Sequence, residues 1–288
     1  MCERRSGGSG SRRQGWRRQS GLHMRRMWRG WGRCLAFLAT DCAGVVMKSF
    51  ELVYLVMEPF LLPLHREMRS RIRAAVRERR GNALLLDVGG RKSHYTIGTG
   101  ARVIVSDLPR TSDLQHALHL GADAGVIAAV RRRRSNVLGY VLNDLTESCF
   151  RDNSVDVVVA VEVLEHVDDD EKFVAEVAKA LRKGGCFLMS TPNGDELTRV
   201  TNPDHRRHYK KRELEALLEK HFDFVRVEYG IVGGKSRMLG LRSWSVRHPL
   251  QTLLSMGGNV VNGFLSRRAD VASRAQGTHH LLATALRL

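Results

Sequence analysis

Five acidic side chains and one histidine, spread through the middle of the chain, have the types and spacing that site chemistry needs. Asp87-Val88-Gly89-Gly90 follows three leucines. Glycines let a backbone turn sharply and approach a ligand with no side chain between. Asp107 comes 18 residues after Gly89, an interval at which an acid can accept from ribose hydroxyls. Asp144 can accept from a base amino group, and Leu145 after it can supply a backbone N–H. Glu162-Val163-Leu164-Glu165-His166 puts an imidazole beside carboxylates, groups that can take a proton from an attacking hydroxyl.

Those residues are useful only if strand ends hold them. Short apolar runs at Ala83–Val88, Ala101–Ser106, Asn136–Leu142, Val155–Val161 and Cys186–Ser190 read as strands, with Phe222–Tyr229 and His279–Leu288 as the last two. Helical patterns fall between them at Asp113–Arg133, Asp168–Arg182 and Lys211–His221, and Lys183-Gly184-Gly185 reads as a helix stop. Repeated strand–helix alternation predicts an α/β fold with a mostly parallel sheet and helices on both faces. In such sheets ligands bind beyond the carboxyl ends of the strands, and every candidate residue above falls there.

The set resembles the class I S-adenosylmethionine-dependent methyltransferases, and within them the type 11 group. The resemblance rests on Leu86-Asp87-Val88-Gly89-Gly90, Ser106-Asp107-Leu108, Asp144, the run from Phe150 to Val159, Glu162 to Val167, and Leu181-Arg182-Lys183-Gly184-Gly185. It implies a Rossmann-like seven-stranded sheet whose last strand is antiparallel. It implies S-adenosylmethionine as cofactor, held by Asp87, Gly89, Gly90, Asp107, Asp144, Leu145 and Glu162. Two departures stand out. Arg91-Lys92-Ser93 replaces the further glycine of the family, and only ten residues separate the turn from the second strand. A nicotinamide dehydrogenase fits less well, since its glycine fingerprint must open a true helix to hold a pyrophosphate.

The implied reaction is methyl transfer (EC 2.1.1.-), chiefly a matter of alignment because the sulfonium methyl is already activated. An oxygen acceptor also needs a base. We take His166 as the candidate, with Glu162 four residues earlier on the same helical face. Glu162, Glu165 and His166 with His205 or His208 also resemble magnesium-assisted members of the superfamily; we assign no metal. His205-Arg206-Arg207-His208-Tyr209 reads as a loop over the site.

The net charge is +17. Residues 1–46 hold ten arginines against Glu3 and Asp41, or +8, which leaves +9 for the rest. We read 1–46 as a basic extension without fixed structure, or as sequence upstream of a start at Met47. Residues 47–80 read as a helical cap and 81–288 as the catalytic domain, with a helical insertion at 231–277. Five irregularly spaced cysteines fit a reducing cytoplasm and form no zinc pattern. The acceptor classes that fit are a small molecule, a lipid or a glycan. RNA or protein is the alternative, through the basic surface; an inactive binding module is a third reading. Base N-methylation is disfavoured because Ala160-Val161-Glu162-Val163 stands where an Asn/Asp-Pro-Pro-aromatic motif would be. Apolar stripes flanked by Arg237, Arg242, Arg247, Arg267 and Arg268 suggest peripheral membrane contact.

Overall fold

The computed structural model describes residues 47–79, 82–110, 121–200 and 202–288. The chain divides into two units, Met1–Ala43 and Gly44–Leu288; the expectations for residues 1–46 lie outside the described residues. In the larger unit the apolar runs become strands β1 (Leu84–Val88), β2 (Arg102–Asp107), β3 (Val137–Leu142), β4 (Val155–Val161), β5 (Leu181–Pro192), β6 (Phe224–Val232) and β7 (Thr278–Arg287). They form one seven-stranded sheet in the order β3-β2-β1-β4-β5-β7-β6. β1 to β5 pair in parallel, and β7 lies antiparallel between β5 and β6. This is the Rossmann-like class that the sequence predicts.

Helices α1 (Ser49–Met57), α2 (Pro63–Glu78), α3 (Ala124–Arg133), α4 (Asp170–Ala180), α5 (Lys211–Glu219), α6 (Lys235–Gly240) and α7 (Pro249–Ser266) complete the unit. Successive strand residues serve opposite faces. Leu86, Val158 and Phe187 pack with Phe173, Val174, Leu214 and Leu218 of α4 and α5. Leu85, Val103 and Val157 pack with Met68, Ile72 and Val76 of α2. Met68, Ile72 and Val76, four residues apart, thus give α2 an apolar face that packs into the core. The first part of the predicted Asp113–Arg133 helix lies outside the described residues.

Two local expectations need correcting. The helix before β5 ends at Ala180, so Gly184, at φ +73, sits in the following strand segment rather than at a helix C-terminus. No helix starts at Glu162 either. Glu162 is left-handed (φ +55), Leu164–His166 is a single 3₁₀ turn, and α4 begins at Asp170. Glu162 and His166 therefore do not share a helical face. Among the described residues no helix is long and apolar enough to cross a membrane.

Candidate active site

The sheet switches direction at β1, which lies between β2 and β4, and the site gathers at the carboxyl ends of these strands. Gly89 takes φ +69 and donates its N–H to the Ser106 carbonyl at 2.8 Å. A Cβ on Gly90 would stand 2.5 Å from the Asp87 carboxyl carbon, so a side chain there is excluded. Two single 3₁₀ turns, Gly90–Lys92 and His94–Thr96, stand where the ten-residue spacing predicts a very short first helix.

Asp87 is fully buried beneath this turn rather than on its open side. Its carboxylate accepts from Tyr95 Oη at 3.3 Å and from Arg134 at 3.4 Å. Burial raises its pKa to about 6, against the pull of Arg134. Arg134 also donates to the Gly90 carbonyl at 3.1 Å and to Thr96 Oγ1. One buried guanidinium thus fixes both ends of the glycine turn. Arg134→Met keeps the bulk but leaves Asp87 without its cation. The loss of one member of a buried pair costs about 3–5 kcal/mol, so thermal unfolding should drop by roughly 10 °C. A drop of only a degree or two would remove Arg134 from this role.

Asp107, at the tip of β2, carries two roles at once. Its Oδ1 accepts from the Leu108 N–H at 2.9 Å, while Oδ2 receives Arg91 at 3.3 Å and Tyr140 Oη at 3.5 Å. Burial raises its pKa, and Arg91 opposes that rise. Asp144 is exposed at the end of β3. Its Oδ1 accepts from the N–H and hydroxyl of Thr146 at 2.9 and 2.8 Å, and the Leu145 side chain is core. Nearby, Ser106 Oγ and Asn143 Nδ2 are buried without a partner. A nucleoside needs donors and acceptors of this kind, so the residues present fit one.

Glu162 adopts its left-handed backbone at the end of β4, a conformation that non-glycine residues keep only where surroundings impose it. Its carboxylate accepts from Ser190 Oγ at 2.9 Å and lies 3.5 Å from His280 Nε2. Burial alone would raise its pKa; His280 and Ser190 outweigh that and hold it at about 2, so it is ionised. His279 and His65 border the same region. Burial lowers them to about 3 and about 4, so both are neutral.

His166 is fixed by a different set. Its Nδ1 lies 3.0 Å from the Asp204 carbonyl, and since a carbonyl only accepts, Nδ1 carries the proton. In the neutral ring this tautomer leaves Nε2 with its lone pair. His208 Nδ1 donates to the Leu197 carbonyl at 2.8 Å, which leaves its Nε2 to accept from His205 Nδ1 at 3.0 Å. His205 Nε2 is then also unprotonated. Its ring meets that of His166 edge-on at 4.8 Å. Glu165 is completely buried; Oε2 accepts from Thr191 at 3.1 Å and Oε1 has no partner. Burial and the Glu162 charge push its pKa well up. Ligand atoms of Glu165, His166 and His205 lie within 4.8 Å of one another, so these three residues could hold a divalent cation.

Residues 95–189 match the family model for the methyltransferase domain. The chain is 33% identical over 179 residues to a Mycolicibacterium smegmatis protein named "Probable S-adenosylmethionine-dependent methyltransferase/", covering 59% of this chain and 60% of that protein. The chain is thus similar to S-adenosylmethionine-dependent methyltransferases, and residues 95–189 to their methyltransferase domain. A Mycobacterium tuberculosis methyltransferase with the same probable designation is 39% identical over 105 residues, covering 33% of this chain and 36% of its own length. The chain thus spans 60% and 36% of these two relatives' lengths, under two thirds in each. A solved S-adenosylmethionine-dependent methyltransferase from Archaeoglobus fulgidus aligns over 75% of this chain and 93% of its own, at 15% identity and a TM-score of 0.47.

The structure brings Asp87, Gly89, Gly90, Asp107 and Glu162 to three neighbouring strand ends, with Asp144 and Leu145 at the end of the next. Sequence reading missed Arg134, Arg91 as a partner of Asp107, and the His279-His280 pair. Arg134 closes a run of four arginines whose other three are exposed, so a charge run hid a core residue. The two histidines sit in the last strand, remote from the motifs, and only the antiparallel pairing of β7 with β5 carries them to Ser190 and Glu162.

Proposed function

We propose that this chain binds S-adenosylmethionine over the carboxyl ends of β1 to β4 and transfers its methyl group to an oxygen of a small-molecule, lipid or glycan acceptor. The observation that carries the reading is the pairing of Val88 with Ser106, which sets the Gly89-Gly90 turn directly beside Asp107. Asp107 would take the ribose hydroxyls, Asp144 and the Leu145 N–H the adenine, and the glycine turn the methionine part. The names of the mycobacterial relatives support the cofactor. When bound, the cofactor supplies an electrophilic methyl on a positive sulfur. The protein's own task is to align the acceptor and take its proton.

His166 is the base in this scheme. Its protonated Nδ1 is fixed on a backbone carbonyl, and its Nε2 can receive the acceptor's proton. Ionised Glu162 adds a fixed negative charge near the positive sulfur. The test supplies methyl-labelled S-adenosylmethionine with separate pools of lipids, oligosaccharides, small hydroxylated compounds, RNA and protein. Label should enter one of the first three pools as an alkali-stable methyl ether. Label confined to RNA or protein would refute the acceptor class; no binding of the cofactor by calorimetry would leave an inactive module.

Unpartnered Glu165 Oε1 beside two imidazole lone pairs favours a second reading, in which a divalent cation bound there activates the acceptor. His166 cannot serve as base and ligand through the same nitrogen, so the two readings exclude each other.

A further inference from the structure

α7 is an amphipathic helix turned inside out. Leu250, Leu253, Leu254, Val260, Val261 and Phe264 follow a helical repeat and share one face. That face points to solvent: Phe264 is 76% and Leu250 70% exposed. The face against the protein is polar or small, made of Ser255, Gly258, Asn259, Asn262 and Gly263. Its polar groups are bound inside. Asn259 donates to the Phe60 carbonyl at 3.0 Å, Asn262 to the Val232 carbonyl at 2.7 Å, and Ser255 to the Gly240 carbonyl at 3.0 Å. These bonds lock the helix with its apolar row outward, so the orientation is built in. A second outward row, Leu52, Val53 and Val56, lies on α1, just before the turn that Asn259 holds.

Charge decides what covers this face. α7 itself has no acidic or basic residue. Exposed Arg242 and Arg247 precede it, and exposed Arg267 and Arg268 follow it. Arg242, Arg247 and Arg267 make no ion pair among the described residues. At the C-terminal end a cavity of about 440 Å³ is lined by Arg66, Arg71, Arg267 and Arg268 with Glu67 as an acid. An apolar row bounded by arginines at both ends matches acyl chains beneath anionic headgroups. We infer that α7 lies in the plane of an anionic lipid membrane with Leu253, Val261 and Phe264 inserted and the flanking arginines on headgroup phosphates. This does not depend on which acceptor is methylated.

The test uses the full chain and vesicles of phosphatidylcholine with or without phosphatidylglycerol. Ionic strength is kept near physiological, and residues 1–46 are common to every variant, so their contribution cancels in the comparison. The chain should partition onto the mixed vesicles, with amide exchange slowed in residues 249–266. Leu253→Ser/Val261→Ser/Phe264→Ser removes apolar contact only from exposed positions, so unfolding should be unchanged while partitioning drops at least about tenfold. Arg242→Glu/Arg247→Glu/Arg267→Glu should reduce the preference for phosphatidylglycerol severalfold; an unchanged preference overturns the role given to these arginines. Equal partitioning of wild type and the serine variant, or absence of wild-type binding, overturns the inference. So does a wild-type dimer that the serine variant dissociates while vesicle binding persists, since a second copy would then cover the face.

Discussion

Asp107→Ala should weaken S-adenosylmethionine binding by about a thousandfold, measured by titration calorimetry, with thermal unfolding nearly unchanged. A ribose diol can donate twice to this carboxylate. Each hydrogen bond to a charged group contributes about 1.5–3 kcal/mol, and two of them correspond to two to four decades in Kd, by order of magnitude. The fold does not rely on this charge. The pKa of Asp107 is raised in the native state, first by burial. The native state therefore disfavours its ionised form, and removing it at neutral pH forfeits no net stabilising charge. Arg91 supplies the counter-test. It already occupies Oδ2, which it shares with Tyr140, while Oδ1 serves the Leu108 N–H. The ribose must displace Arg91 to engage both oxygens, so Arg91→Ala should tighten binding severalfold. Opposite signs for the two variants would identify the carboxylate as the ribose site. Normal binding by Asp107→Ala would remove it.

Much of this was legible in the sequence because the signals are local. Val155–Val161 reads as a strand and is one to the residue, since six of its seven positions are apolar and only Asp156 interrupts them, which suits a strand buried on both faces. The short link from Gly90 to β2 predicts a very short first helix, and two single 3₁₀ turns form there instead. What stayed hidden depends on neighbours far along the chain. Periodicity identifies residues that share a face of α7, but not where that face points; only the carbonyls of Phe60, Val232 and Gly240 turn its asparagines inward. Glu162-Val163-Leu164-Glu165-His166 has helical spacing, yet Ser190 and His280 draw Glu162 toward β5 and β7 and the chain turns differently. Arg134 and Asp87 are 47 residues apart, and no local pattern links them.

His166→Ala should lower kcat by two to four orders of magnitude, roughly the range for loss of a positioned general base, with the Kd for S-adenosylmethionine unchanged. The unchanged affinity matters because His166 contacts the Asp204 carbonyl and His205, not the glycine turn or Asp107. A loss shared between binding and turnover would make it structural. His205→Ala separates the base from the metal reading. A base needs only its own lone pair and the Asp204 carbonyl that fixes its tautomer, so the His205 variant should keep most of its turnover. A cation held by Glu165, His166 and His205 would lose one of three protein ligands, so turnover would collapse as far as in the His166 variant. Chelator treatment gives the same division: turnover indifferent to chelation keeps His166 as the base. Turnover lost on chelation and restored by a divalent cation transfers the activating role to the ion, and explains why a fully buried carboxylate keeps one oxygen without a partner.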